Sequence, residues 1–322
     1  MIIYNSPSNA IFIYNPVAGR GRIKKRLGLI IIRLNKRFGK VDVKETSKKG
    51  DALEFAKEAC GRYEYIIFGG GDGTFNEIVN GIACYKPSPI LGYIPSGTTC
   101  DIASNFKLPR NILRALEIIE NGIASKKALE IDALKINEVY AVYAVGAGSL
   151  VSIGYKTCQN KKNRIGRLAY FLGALNINKH IKGLDIESIE LKDNTNMASA
   201  SKGASLLLVL NSKHVAGAKI NRGYKHDSGS AQLILVKKTS NNKIRKFLSV
   251  ASALMFLRFA KIEGDFYTKN LSRTTTSNLK IKTQNANWSI DGEKSKTLNK
   301  SNNIEIKVLP KHIRLIVGEN TA

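Results

Sequence analysis

Three glycine-rich loops are the residues best suited to do chemistry. They are Asn15-Pro16-Val17-Ala18-Gly19-Arg20-Gly21, Gly69-Gly70-Gly71-Asp72-Gly73-Thr74 followed by Phe75-Asn76-Glu77, and Pro95-Ser96-Gly97-Thr98-Thr99-Cys100-Asp101. Glycine lets a backbone approach phosphate oxygens closely, and a helix starting just behind such a loop presents free N–H groups to them. The hydroxyls of Thr74, Thr98 and Thr99 add donors. One loop of this kind would be weak evidence, since glycine often does no more than turn the chain. Three on one edge point to a nucleotide-phosphate site. Neither common fingerprint fits: GxxxxGK[ST] is absent, and GGGDGT lacks the spacing of GxGxxG. Asp72 is out of place in a bare phosphate cradle. A carboxylate beside phosphates makes sense where it holds a metal or orients a reacting group; the plainer alternative is a cap on the helix that follows.

The loops share an edge because of the elements around them. Ala10–Tyr14, Val41–Glu45, Tyr65–Phe68 and Ile90–Ile94 read as short buried strands. Between them lie helical patterns: the basic segment Ile23–Phe38, Asp51–Cys60, the run holding Phe75, Ile78, Val79 and Ile82 at i, i+3, i+4, i+7, and Asn111–Glu120. Strands alternating with helices imply a parallel sheet covered on both faces, whose loops after the strands gather at the carboxyl edge, where ligands bind. From about Glu130 strands dominate: Ile131–Ile136, Val139–Val145, Ser205–Leu210, Ala231–Val236, Leu279–Thr283, Asn287–Ile290 and Ile304–Val308, with one helix at Arg164–Asn176. The second part is expected to be antiparallel β. The polar clusters Asp193–Lys202 and Ser295–Asn303 read as exposed hairpin loops.

The 322 residues carry 51 Lys+Arg against 25 Asp+Glu, a net charge of +26 that calls for an anionic partner. Residues 1–40 hold nine basic side chains and no acidic one, and Val139–Leu184 and Ser228–Ile262 hold seven each and none. With 43% hydrophobic and 24% charged residues, wholesale disorder is excluded. Cys60, Cys84, Cys100 and Cys158 are too scattered for a disulfide scaffold or a zinc site, and read as reduced thiols of a cytosolic protein. The apolar run Phe247–Ala260 is shorter than the ~20 residues of a membrane span and reads as a core or interfacial helix. The N-terminus lacks a signal peptide's basic start.

The residues of these loops resemble those of a known family. IYNPVAGRGR is similar to a strand-NPxxG loop, GGGDGTFNEIVNGI to GGDGT-x-NE-x-x-NG, and PSGTTCDIASNFKLP to P-x-GTxND. EIDALKIN, AVGAGSLVS and RIGRLAYFLGAL continue the likeness, and Asp291-Gly292-Glu293 matches a late DGE motif. In this order the motifs resemble the diacylglycerol kinase catalytic-domain family of lipid kinases, which includes sphingosine and ceramide kinases.

The resemblance implies an α/β + β fold: an N-terminal NAD-kinase-like α/β nucleotide domain over residues 1–128, completed by about 305–322, and an antiparallel β-sandwich lipid-substrate domain over 129–304, with the active site in the cleft between them. It implies ATP and Mg²⁺ as cofactors. Asn15, Pro16, Gly19, Gly70, Gly71, Asp72, Gly73, Thr74, Asn76 and Glu77 would contact the nucleotide, joined by Thr98 and by Thr46 of ETSKKGDA. Asp72 and Asp101 would organise magnesium and water, and Glu293 would be the general base. The chemistry is coherent: phosphoryl transfer needs positioning, charge neutralisation and an in-line acceptor oxygen whose proton a carboxylate can take.

There are two departures. Cys100 stands where the family has Asn, and the family's late magnesium Asp is replaced by the segment Lys225-His226-Asp227-Ser228-Gly229-Ser230, in which Asp227 is displaced by one position. The expected reaction is transfer of the γ-phosphoryl group to a lipid hydroxyl, with diacylglycerol first and a sphingoid base or phosphatidylglycerol as alternatives. NAD phosphorylation and a non-catalytic basic module rank behind. The expected setting is the cytoplasm, peripherally on the inner face of an anionic membrane. No nucleic-acid partner is expected, since no RNP or HTH motif is present; a homodimer follows bacterial relatives. The basic residues Arg20, Arg22 and Lys24–Arg26 are the expected cations for ATP.

Overall fold

The computed structural model describes residues 10–148, 184–192, 203–215, 218–238, 240, 242–259, 264–284, 286–295 and 297–319. The helix expected at Arg164–Asn176, the cluster Asp193–Lys202 and Cys158 lie outside them. The chain forms two compact units, residues 1–131 with 311–322, and residues 132–310.

In the first unit, β1 (Ala10–Tyr14), β2 (Asp42–Glu45), β3 (Tyr65–Gly70) and β4 (Ile90–Pro95) form a parallel sheet in the order β2-β1-β3-β4. The register sets Ile11 beside Asp42 and Ile66, and Ile66 beside Leu91. Helices cover both faces, as the alternation requires. On one face α1 (Leu27–Phe38) and α5 (Ile112–Ala124) bury Ile30, Leu34, Phe38, Ala115, Leu116 and Ile119 against Phe12 and Ile67. Asn111 caps α5, its side-chain oxygen accepting from Leu113 N at 3.0 Å and Arg114 N at 3.2 Å. Arg33 of α1 reaches Glu120 of α5 with a bidentate pair, Nε to Oε1 at 2.8 Å. On the other face α3 (Asp72–Ile82) packs on α2 (Asp51–Ala59), and Phe75 meets Phe68 edge-on at 5.2 Å. The sheet ends with the last residues of β18 (Asn303–Leu315), where Leu315 pairs in parallel with Leu91.

The second unit is a β-sandwich. One sheet runs β13 (Phe266–Tyr267), β14 (Leu271–Thr276), β12 (Ala231–Lys237), β9 (Ala204–Leu210), β7 (Ala144–Gly148), β16 (Trp288–Ile290), β17 (Glu293–Lys294). The other joins β8 (Asp185–Leu191), β15 (Asn278–Gln284) and the first part of β18, with β5 (Leu129–Ile136) and β6 (Val139–Ala141) beside them. Trp288, Leu207 and Leu233 from one sheet meet Ile189, Ile281 and Ile306 from the other in a single core. The small hairpin β10 (His214–Val215) and β11 (Ala218–Lys219) follows β9. Helix α6 (Lys243–Phe259) lies against β9 and β12, burying Val250, Ala253 and Leu257.

Two sequence expectations change here. The apolar run Val139–Val145 is not one strand: β6 pairs with β5 in one sheet, β7 pairs with β9 and β16 in the other, and the chain crosses at Val142–Tyr143. Ser295–Asn303 is not a simple exposed hairpin loop. It carries the chain from β17 in one sheet to β18 in the other, and Leu298 within it is buried in the core.

Candidate active site

Loops one, two and three follow β1, β3 and β4, neighbours in the sheet, and interlock through their backbones. Asn15 N–H donates to Gly69 O at 2.9 Å, and Gly70 O accepts from Ser96 N at 2.8 Å and Gly97 N at 3.2 Å. The contacts are close enough to demand glycine. A Cβ on Gly19 (φ +57°) would lie 1.8 Å from the carbonyl oxygen of Ser96, and one on Gly97 would lie 2.6 Å from Cα of Gly71. Within loop one, the Asn15 side-chain oxygen accepts from Val17 N at 3.1 Å, turning the chain after Pro16. Thr74 packs its side chain directly over Gly70.

Helix α3 begins at Asp72 behind Gly71, an N-cap residue with no side chain to offer its first turn. Asp72 instead reaches across to loop three. Its carboxylate accepts from Asp101 N at 3.1 Å, Ile102 N at 3.2 Å and Thr99 Oγ1 at 3.3 Å. Asp72 therefore does cap a helix, but it is α4 (Asp101–Asn105) and not the helix that follows it in sequence. Cys100 occupies the N-cap position of α4 and its thiol makes no cap bond. Its φ of +50° is left-handed, a conformation Asn tolerates better than most residues. The thiol is buried 3.7 Å from Tyr93 Oη. Burial, then the nearby Asp72, pushes the Cys100 thiol above its ordinary pKa. Tyr93 also donates to Gly70 O at 3.2 Å.

The remaining residues sit around this cluster or in the second unit. Thr46 is buried at the end of β2, its N–H donating to Tyr14 O at 2.9 Å. Glu77 Oε1 accepts from Gly50 N at 3.0 Å, tying α3 to the loop ahead of α2, and Asn76 accepts from Asn80 Nδ2 through its backbone oxygen at 2.9 Å. Arg22 braces backbone: it donates to Pro95 O at 3.2 Å and Arg110 O at 2.6 Å, while Arg110 holds Thr98 O at 3.0 Å and Thr99 O. Nothing in composition marked Arg110; the signal was a basic residue shortly after the third loop. Lys24 lies 3.7 Å from Glu45 at the surface.

Glu293 and Asp227 belong to the second unit. Glu293 is exposed at the start of β17, directly after a turn formed by Asp291 and Gly292. Asp227 is an exposed turn residue, 3.9 Å from His226 Nε2. Among the described residues no three of His, Cys, Asp and Glu gather as a metal cage. Asp227 thus stands outside any such cluster of three.

Comparison with known proteins places this arrangement. Residues 9–132 match the family model for the diacylglycerol kinase catalytic domain. A diacylglycerol kinase of Staphylococcus epidermidis is 33% identical over 246 residues, covering 76% of this chain and 75% of that protein. The chain belongs to the diacylglycerol kinase family.

A Staphylococcus saprophyticus diacylglycerol kinase is 32% identical, with 76% and 77% covered. Membership in the diacylglycerol kinase family makes the chain a phosphotransferase with an alcohol group as acceptor. Solved structures share the fold. A diacylglycerol kinase from Bacillus anthracis superposes with a TM-score of 0.72 at 21% identity, over 98% of each chain. A yeast NADH kinase complexed with NADH gives 0.51 at 12% identity, over 97% of this chain and 84% of that one. The α/β unit and the β-sandwich are those of this family. No helix among the described residues is long and apolar enough to cross a membrane.

Proposed function

We propose that the chain is an ATP- and Mg²⁺-dependent kinase that phosphorylates the hydroxyl of a membrane lipid, diacylglycerol in the first instance, to give phosphatidic acid. One observation carries the reading: three glycine loops interlock at the carboxyl edge of the sheet, beside the start of α3, whose N-cap residue is Gly71. The residues present fit a polyphosphate. Ser96 Oγ is buried there without a hydrogen-bond partner, and a helix start favours negative charge.

Asn15, Pro16, Gly19, Gly70, Gly71, Gly73, Thr74, Asn76 and Glu77 would surround the phosphates and ribose, with Thr46 and Thr98 beside them. When bound, ATP supplies the γ-phosphoryl group and Mg²⁺ neutralises charge on its phosphates. Mg²⁺ is usually held by one or two carboxylates together with substrate phosphates, which suits Asp72 and Asp101 better than a dedicated cage. Glu293 takes the proton of the lipid hydroxyl as the new P–O bond forms and the bond to the β-phosphate oxygen breaks. The basic surface favours an anionic leaflet on the cytoplasmic side, each cation near it contributing roughly 1 kcal/mol.

Transfer from labelled ATP to diacylglycerol in mixed micelles tests the reading, with Asp72→Ala and Glu293→Ala as controls. Both variants should lose transfer by about 10²-fold or more. Wild-type rates in both would overturn the residue assignment, and phosphorylation of NAD with no product from any lipid would overturn the substrate.

A further inference from the structure

We infer that Asp291 is a positioning residue for Glu293, fixing the turn that carries the base to the chain crossing between the two sheets of the sandwich. The inference rests on the proposed role of Glu293.

Asp291 is 3% exposed, and its carboxylate accepts three consecutive backbone N–H groups: Val142 at 2.7 Å, Tyr143 at 2.9 Å and Ala144 at 3.0 Å. Its own N–H donates to Ala144 O at 2.8 Å. Residues 142 and 143 are the link where the chain leaves β6 and has yet to enter β7, so no ladder partner meets their N–H groups. A buried amide needs an acceptor, and Asp291 supplies it. The same residue begins the turn. Asp291 (φ +47°) and Gly292 (φ +78°) both lie at positive φ between the paired residues Ile290 and Glu293, the geometry of a type I′ hairpin. Glu293 is thus the first residue beyond a turn whose near side is clamped.

Turn formation does not by itself call for a carboxylate, because Asn serves a type I′ turn equally well. What Asn cannot do is accept on both oxygens. Asp291→Asn keeps the turn but sets an amide NH₂ or a single oxygen against three donors. A shift of the order of 1 Å in a reacting group costs about 10²-fold in rate.

The experiment is a double-mutant cycle with Glu293→Ala, read as kcat and KM for ATP in diacylglycerol micelles, with folding checked by circular dichroism. Asp291→Asn alone should lower kcat by about 10- to 100-fold with KM for ATP unchanged. In the Glu293→Ala background it should cost nothing further, because both changes remove the same action. Gly292→Ala is the second probe. It strains the same turn, its Cβ lying 3.0 Å from Tyr143 Oη, without touching the Asp291 carboxylate, and should repeat the signature. A folded Asp291→Asn or Gly292→Ala with wild-type kcat, or full additivity with Glu293→Ala, overturns the inference while leaving the base in place. Wild-type activity in Glu293→Ala alone overturns both.

Discussion

Replacing Asp72 with alanine separates the cap that its carboxylate makes from the role proposed for it at the phosphates. The structural job is the cap on α4, where Asp101 N and Ile102 N donate at 3.1 and 3.2 Å. Losing such a cap costs roughly 0.5–2 kcal/mol. Folded domains are stable by about 5–15 kcal/mol, so even the upper cost on the least stable case leaves about 3 kcal/mol. At that margin under about 1% of molecules are unfolded, since about 1.4 kcal/mol is a factor of ten. Unfolding therefore cannot account for more than a small fraction of any lost rate. A group acting on the phosphates should cost on the order of 10²-fold, the scale of single preorganised groups in active sites. The measurements are urea denaturation followed by circular dichroism, and kcat with saturating ATP and micellar diacylglycerol. Asp72→Asn should recover part of the stability, since one oxygen still accepts, and little of the rate. An Asp72→Ala protein that loses about 1–2 kcal/mol and keeps kcat within about twofold would show Asp72 to be a cap and nothing more.

Further outcomes are open to measurement. Gly19→Ala places a Cβ 1.8 Å from the Ser96 carbonyl at a φ of +57°, so loop one must move off loop three; nucleotide affinity should fall by about tenfold or more, about 1.4 kcal/mol, and an unchanged nucleotide titration would exclude loop one from the site. The His312 ring is half-buried, with Nε2 2.9 Å from Ala83 O, and this burial lowers its pKa below the usual 6.5. The folded state then holds the ring neutral, so the contribution is whole above the unfolded value and is lost as pH falls from 6.5 toward the folded value. Melting temperature against pH should drop less for His312→Gln than for wild type in that window; parallel curves would refute it. Burial pushes the Cys60 thiol to about 11 and raises Cys100, while Cys84 is exposed. Peptide mapping after alkylation at pH 8 should show Cys84 labelled before Cys60 and Cys100, and early labelling of Cys100 would contradict its burial.

Much of the first unit was legible because its signals are local. Strands such as Ala10–Tyr14 and Ile90–Pro95 are short apolar runs, and each is followed by the glycines that its loop needs. What escaped depends on partners far along the chain. Nothing near Asp72 says that its acceptor serves residues 101 and 102, and a search for caps looks forward by three residues, not by thirty. The break at Val142 is invisible in an unbroken apolar run; it exists because residue 291 offers the acceptor. Strand β14, LSRTTT, has no apolar alternation to announce it and is held by β12 through Ile234 beside Arg273. Arg22, expected from the sequence as a cation for ATP, braces backbone carbonyls, as does Arg110, which the sequence did not single out.

The last strand has a consequence for synthesis. Leu315 and Ile316 finish the sheet begun at residue 10: Ile316 N–H donates to Leu91 O at 2.9 Å, and its side chain sits against Gly122. A ribosome that has released residues 1–131 has made every glycine loop and none of this closing edge, so β4 waits with one side unpaired while the whole sandwich is translated. Closure spans more than 200 residues of sequence, the kind of contact that forms late and slowly. The first unit is thus finished last although it is made first, and a nascent chain should gain protection of β4 from proteolysis only once residue 316 has left the exit tunnel.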